Sequence, residues 1–161
     1  MPTTAIYNVI TVNDAVLTGG QPTAEQLEAV AAEGYTAVIN LAPYDPTRSL
    51  ADEAGLARSL GLAYDHIPVD WADPTDADFA AFEQIMLRAF EQIMLRRAGA
   101  KILIHCMANF RATAFYSLFA QKHLGWSQAQ AEALRDVIWK GSDYPVWRAF
   151  IARVQARLLE P

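Results

Sequence analysis

A single cysteine among 161 residues excludes an internal disulfide. It also leaves that thiol with no resolving partner in the chain, so oxidation would halt at a sulfenic acid or sulfenamide unless an outside thiol arrived. Basic residues are in deficit, 13 against 18 acidic ones for a formal charge of -5, which argues against nucleic acid as a partner. The deficit does not exclude an anionic substrate, because local donors govern a pocket more than net charge does. No apolar run reaches membrane-spanning length, and the first residues lack a basic stretch followed by a long apolar core. No membrane partner is expected, and the cytoplasm is the expected location. His66 and His123 have no partners at metal-ligand spacing, so neither a metal nor another cofactor is expected.

What is present reads as one α/β domain over residues 1–161. With 53% hydrophobic side chains the chain can fill one core and is short for two, and no linker or low-complexity segment interrupts it. Short or alternating apolar runs at 6–12, 15–18, 36–41, 62–69 and 101–105 predict about five strands with helices between them. Thr23, with Pro22 before it and Gln26 three residues on, has the form of a capping box, and Gly34 ends that helix. Further helices are predicted over 49–60, 111–123, 127–140 and 146–159, the last two split by residues 141–145 and expected to cover one face of the sheet.

Before the fifth strand the octapeptide at 81–88, Ala-Phe-Glu-Gln-Ile-Met-Leu-Arg, is repeated without change at 89–96. Within a helix such a repeat adds about 12 Å. Phe82, Met86, Ala89 and Ile93 project as one apolar stripe, with Leu87, Phe90 and Met94 beside it. One stripe serves a core; either the repeat extends the helix harmlessly or loops out, or either copy can dock in the core register, giving two conformers or a helix end through which two copies of the chain pair as a homodimer.

The chemistry concentrates in Lys101-Ile-Leu-Ile-His105-Cys106-Met107-Ala108-Asn109-Phe110-Arg111-Ala-Thr113. An apolar strand here runs into a short loop and then a helix start, an arrangement that gathers backbone N–H donors and a partial positive charge around one point. A tetrahedral oxyanion fits there. The same dipoles, with Arg111, favour thiolate over thiol at Cys106, and the arginine fork can hold two oxygens of an anion. The alternatives are a buried structural cysteine, a solvated Arg111 and a back-bonded Thr113 hydroxyl.

This stretch resembles the signature of the cysteine-dependent protein tyrosine and dual-specificity phosphatases, although the usual signature has one more residue between cysteine and arginine. Gly20-Gln21-Pro22-Thr23, Val38-Ile39-Asn40-Leu41 and His66-Ile67-Pro68-Val69 extend the likeness to small bacterial phosphatase-like domains, including those related to beta-lactamase-hydrolase-like proteins, a subgroup of which has the Cys-x4-Arg loop. The resemblance implies a dual-specificity-phosphatase-like fold with a central, mostly parallel sheet of about five strands flanked by helices. It implies Cys106 as nucleophile, Met107, Ala108, Asn109, Phe110 and Arg111 as the phosphate-binding loop, and Thr113 as donor to the cysteine sulfur in the hydrolysis step. His105 becomes a hydrogen-bonding support of the loop, and Gln21 approaches the water of the second step. The family's usual glycine is Asn109 here, a residue that tolerates positive φ.

A general acid is sought in Val69-Asp70-Trp71-Ala72-Asp73-Pro74-Thr75. Counting from the strand favours Asp70, and counting back from the next helix favours Asp73. Because residues 73–76 look like a helix start, whose cap would occupy the Asp73 carboxylate, Asp70 is preferred. Trp71, Phe110, Tyr44 and Trp139 are either pocket walls or packing. The implied activity is hydrolysis of phosphotyrosine or another phosphomonoester, on a phosphorylated protein or a small molecule, through a phosphocysteine. The rivals are a rhodanese-like sulfurtransferase and a non-catalytic phosphate-binding pseudophosphatase.

Overall fold

The computed structural model describes residues 2–96 and 101–158, and within the third helix the side chains of Phe90 and residues 92–96 lie outside the described set. A single 3-10 turn at Thr3–Ala5 precedes β1 (Ile10–Thr11), β2 (Val16–Gly19), α1 (Ala24–Ala32), β3 (Tyr35–Asn40), α2 (Glu53–Ser59), β4 (Ala63–His66), α3 (Asp76–Arg96), β5 (Lys101–His105), α4 (Phe110–His123), α5 (Gln128–Trp139) and α6 (Pro145–Leu158). The five strands lie in the order β1-β2-β5-β3-β4. Only the β1–β2 pair is antiparallel, so the mostly parallel sheet implied by the resemblance is observed.

Alternation along the strands sorts side chains to two faces. Leu17, Val38 and Leu103 pack with Leu27 and Val30 of α1 and Ala57 of α2. Val16, Ile39, Ile102 and Ile104 pack instead against Phe79, Phe82 and Met86 of α3 and the apolar side of α4. α4 is buried from Arg111 through Ala120, because α5 and α6 lie against it. The last two helices therefore cover α4 rather than the sheet directly, which corrects the expectation for them. Central β5, flanked by β2 and β3, delivers its C-terminal end into the middle of the molecule.

Three boundaries also move. The run at 6–12 is paired only at Ile10–Thr11, because Asn8 takes a left-handed backbone conformation, φ 52°, that ends an extended run. The run at 62–69 is a strand only to His66, although Ile67 and Val69 N–H groups still donate to Asn40 and Leu41 carbonyls; Pro68 between them has no N–H to give. α2 starts at Glu53 rather than Ser49, since Asp52 caps it by accepting from Gly55 N–H at 3.0 Å, while Ser49 Oγ accepts from Asp45 N–H. The predicted capping box of α1 is present in full.

α3 contains both copies of the octapeptide. The first copy supplies the core, with Phe82 and Met86 fully buried, whereas Leu87 is largely exposed. The side chains of Ile93, from the stripe, and of Phe90 and Met94 beside it lie outside the described residues.

Candidate active site

Cys106 follows β5 directly and is 1% exposed; its N–H donates to Gly19 at 3.2 Å. Beyond it, three successive carbonyls are engaged away from the loop's centre. The Cys106 oxygen faces His105 Nδ1 at 3.1 Å, Met107 O accepts from Gln21 N–H at 3.0 Å, and Ala108 O accepts from Asn8 Nδ2 at 3.1 Å. In a planar trans peptide the N–H opposes the C=O, so the N–H groups of Met107, Ala108 and Asn109 turn the other way. Asn109 is the N-cap residue of α4 in the left-handed conformation, φ 73° and ψ 5°, and its side chain makes no cap hydrogen bond. Its Nδ2 donates instead to Asn8 O at 2.8 Å. The first N–H groups of α4 thus add unpaired donors to those of the loop. The turn expected at Asn109 forms, and Asn8, which the sequence did not single out, locks it from outside. Glycine is required at position 20, where a Cβ would sit 2.6 Å from Met107 O.

Arg111 is 8% exposed. Its Nη1 donates to Val69 O at 2.9 Å, its guanidinium lies 5.7 Å from the Trp71 ring, and its buried Nε has no partner. Trp71 stacks on Trp147 and Trp139 and meets Phe110 and Tyr144 edge-on. These aromatic side chains form a wall beside Arg111, whereas Tyr44 stands apart, 60% exposed.

The Thr113 hydroxyl is bonded locally. It donates to Asn109 O at 2.8 Å or Phe110 O at 3.0 Å and accepts from Trp139 Nε1 at 3.0 Å. A hydroxyl has one proton, and here backbone carbonyls take it rather than the Cys106 sulfur. Gln21 Nε2 donates to Glu53 Oε1 at 2.7 Å and to Pro22 O at 3.0 Å, while its buried Oε1 has no partner.

Glu53, the first residue of α2, was not identified from the sequence; nothing in its spacing links it to a motif 52 residues later. It is buried, and it accepts from His105 Nε2 at 2.7 Å, Tyr64 hydroxyl at 2.8 Å and Gln21. Burial opposes ionisation of its carboxyl, but His105, Gln21 and Tyr64 more than offset this and hold it down at about 2. Burial, with the Glu53 charge beside it, pushes the Tyr64 phenol up. His105 thus bridges the Cys106 carbonyl and the Glu53 carboxylate.

The two aspartates are both exposed. The start of α3 is capped by a reciprocal pair, Asp78 N–H to Thr75 Oγ1 and Thr75 N–H to Asp78 Oδ2, both 3.1 Å. Asp73 is thus not the cap, which removes the reason for ranking it second. Asp70 is the one engaged by backbone, accepting from Ala72 N–H at 2.9 Å. His66 faces Ala42 O, and His123 pairs with Glu83. A groove of about 680 Å³ runs beside Met107 and Gln21 and includes Tyr7, Thr23 and Arg48. A second cavity, about 300 Å³, lies between α5 and α6.

No family model matches the chain. A "Putative phosphatase (DUF442)" from Shewanella putrefaciens CN-32 is 30% identical, with a TM-score of 0.81 over 96% of this chain and 95% of that one. Tk-PTP, at 18% identity and a TM-score of 0.75 over 93% of this chain and 97% of its own, shares the fold. A beta-lactamase hydrolase-like protein of Xylella fastidiosa (strain Temecula1) is 30% identical over 113 residues, 68% of this chain. The chain spans about a quarter of that relative's length, 24%.

Proposed function

This chain belongs to the cysteine-dependent phosphatase superfamily, in the family of the Shewanella DUF442 protein, and from that membership we propose that it hydrolyses phosphomonoesters through a phosphocysteine intermediate. What supports the reading is a buried cysteine followed at once by a loop whose carbonyls are held by donors outside it, a helix start with no side-chain cap and a buried arginine. In the first step Cys106 thiolate attacks phosphorus. The bond to the ester oxygen breaks, and the departing oxygen takes a proton from a carboxylic acid of the loop at 70–73. The N–H groups of 107–110 and Arg111 hold the equatorial oxygens, where charge is spread in the transition state. Water then attacks phosphorus, the S–P bond breaks, and the same carboxylate accepts the water's proton.

Asp73 is proposed as the acid ahead of Asp70, because its carboxylate is free of the backbone bond that engages Asp70. Phosphotyrosine suits the aromatic wall around Trp71; a phosphorylated protein or a small phosphoester is the substrate class. The cytoplasm is the proposed compartment, on the sequence grounds given above. Among the described residues no helix is long and apolar enough to cross a membrane.

The test is turnover of para-nitrophenyl phosphate by the wild type and by Cys106→Ser between about pH 5 and 8. Turnover lost in the serine variant supports the reading. Absence of turnover in the wild type overturns it, and sulfur transfer from thiosulfate to cyanide, or phosphopeptide binding without turnover, then identifies which rival holds.

A further inference from the structure

We propose that His105 is a buried imidazolium and that Glu53 is the positioning residue which keeps it charged, and so holds the Cys106 loop in its anion-accepting form. The inference follows from counting protons around the ring. His105 Nδ1 faces the Cys106 carbonyl at 3.1 Å and Nε2 faces Glu53 Oε2 at 2.7 Å. A carbonyl oxygen can only accept. Glu53 could donate only if it were protonated, and its neighbours forbid that. Asn40 Oδ1 accepts from Ala42 N–H at 2.9 Å, which fixes Asn40 Nδ2 as donor to the Tyr64 oxygen at 3.1 Å. The Tyr64 proton must then go to Glu53 Oε2. Gln21 Nε2 is likewise fixed as a donor, because its other partner is the Pro22 carbonyl, so Glu53 Oε1 receives a proton too. Glu53 is surrounded by donors and is a carboxylate. A neutral imidazole has one N–H and would set a lone pair against one of its two acceptors inside a fully buried site, a cost that protonation removes.

The chain of bonds has a direct effect on the loop. An Nδ1–H donated to the Cys106 carbonyl polarises the Cys106–Met107 peptide and strengthens the Met107 N–H as a donor on the opposite side. It also places a positive charge one residue from the thiol, screened by no solvent, with His105 at 0% exposed. The titratable groups facing the ring are Glu53 from α2, Tyr64 from β4 by way of Glu53, and Cys106; Arg58 acts on Tyr64 from α2. The catalytic benefit rests on the phosphatase reading, whereas the charge state of His105 does not.

The experiment is nitrogen-15 NMR of the histidine-labelled full chain. The chain has three histidines, and His66→Gln and His123→Gln assign the other two. Both ring nitrogens of His105 are expected to carry protons at about pH 8, where a free histidine is neutral. A neutral His105 at about pH 8 in the wild type overturns the proposal, whether or not any variant folds. In Glu53→Gln the ring is expected to become neutral at that pH; persistence of the imidazolium would remove Glu53's role. Alkylation of the sole cysteine gives the second readout, and at about pH 8, where the Glu53→Gln ring is neutral, the rate is expected to fall by roughly tenfold. An unchanged rate would break the link from Glu53 to the loop. Neither measurement uses turnover, so a failed phosphatase reading and a failed charge assignment are distinguishable.

Discussion

Arg111 Nη1 donates to the carbonyl of Val69 at 2.9 Å, so one guanidinium joins the loop that follows Cys106 to the loop that carries Asp70 and Asp73. The four-residue interval between Cys106 and Arg111 left open how the arginine would approach an anion. Its guanidinium lies 5.7 Å from the Trp71 ring, with Nη1 committed to the backbone of the segment after β4 and Nε unpartnered. The loop after Cys106 and the loop that carries both aspartates are thereby coupled through one side chain.

Lysine cannot reproduce that coupling, because it offers a point charge in place of a planar fork. Arg111→Lys is expected to lower kcat on para-nitrophenyl phosphate by about 10²-fold or more, with a much smaller change in melting temperature. Equal losses in activity and stability would mean that Arg111 is structural.

The roles of the two aspartates separate by leaving group. Asp73→Asn is expected to reduce kcat on phenyl phosphate by about 10²-fold, and much less on para-nitrophenyl phosphate, whose leaving group needs little protonation. Asp70→Asn should chiefly disturb the turn closed by Ala72 N–H. The reverse pattern would return the acid to Asp70.

Thr113 tests whether its hydroxyl serves structure or the second step. Because Trp139 and two backbone carbonyls occupy it, Thr113→Val should lower stability by about 1–2 kcal/mol without accumulation of phosphocysteine in rapid-quench experiments. Accumulation would restore the hydroxyl to the mechanism.

Glu53 makes stability depend on acid pH with a definite sign. Its folded carboxyl lies at about 2, below the ordinary 4.5, so its contribution is complete above pH 4.5 and is lost as pH falls toward 2. The loss is on the order of 3 kcal/mol and can be followed by urea unfolding at several pH values. Glu53→Gln should flatten the dependence across that window.

The duplicated helix separates core from surface. Phe82→Ala, in the first copy, removes a fully buried ring and should destabilise by about 3–5 kcal/mol. Deletion of residues 89–96 removes the proposed homodimer surface; a chain that is dimeric by sedimentation before deletion and monomeric after it would support that surface. An unchanged oligomeric state would rule it out.

The sequence by itself determined what depends on local residue type. Apolar runs located five strands, Thr23 with Gln26 and Ser127 marked two helix starts, and the order His-Cys-x4-Arg placed a cysteine beside a loop and helix start. Asn109 was legible as a positive-φ position for the same reason, since tolerance of that conformation belongs to the side chain. Tertiary structure decided whatever depends on partners distant in the chain. Glu53 meets His105 only because α2 is brought beside the end of β5; Asn8 reaches Ala108 across 100 residues. The Thr113 hydroxyl accepts from an indole of α5, 26 residues away. Asp73 is freed from helix capping because Thr75 and Asp78 satisfy those donors themselves. A hydrogen-bonding side chain has several eligible partners in sequence, and the fold selects among them by which ones it buries together.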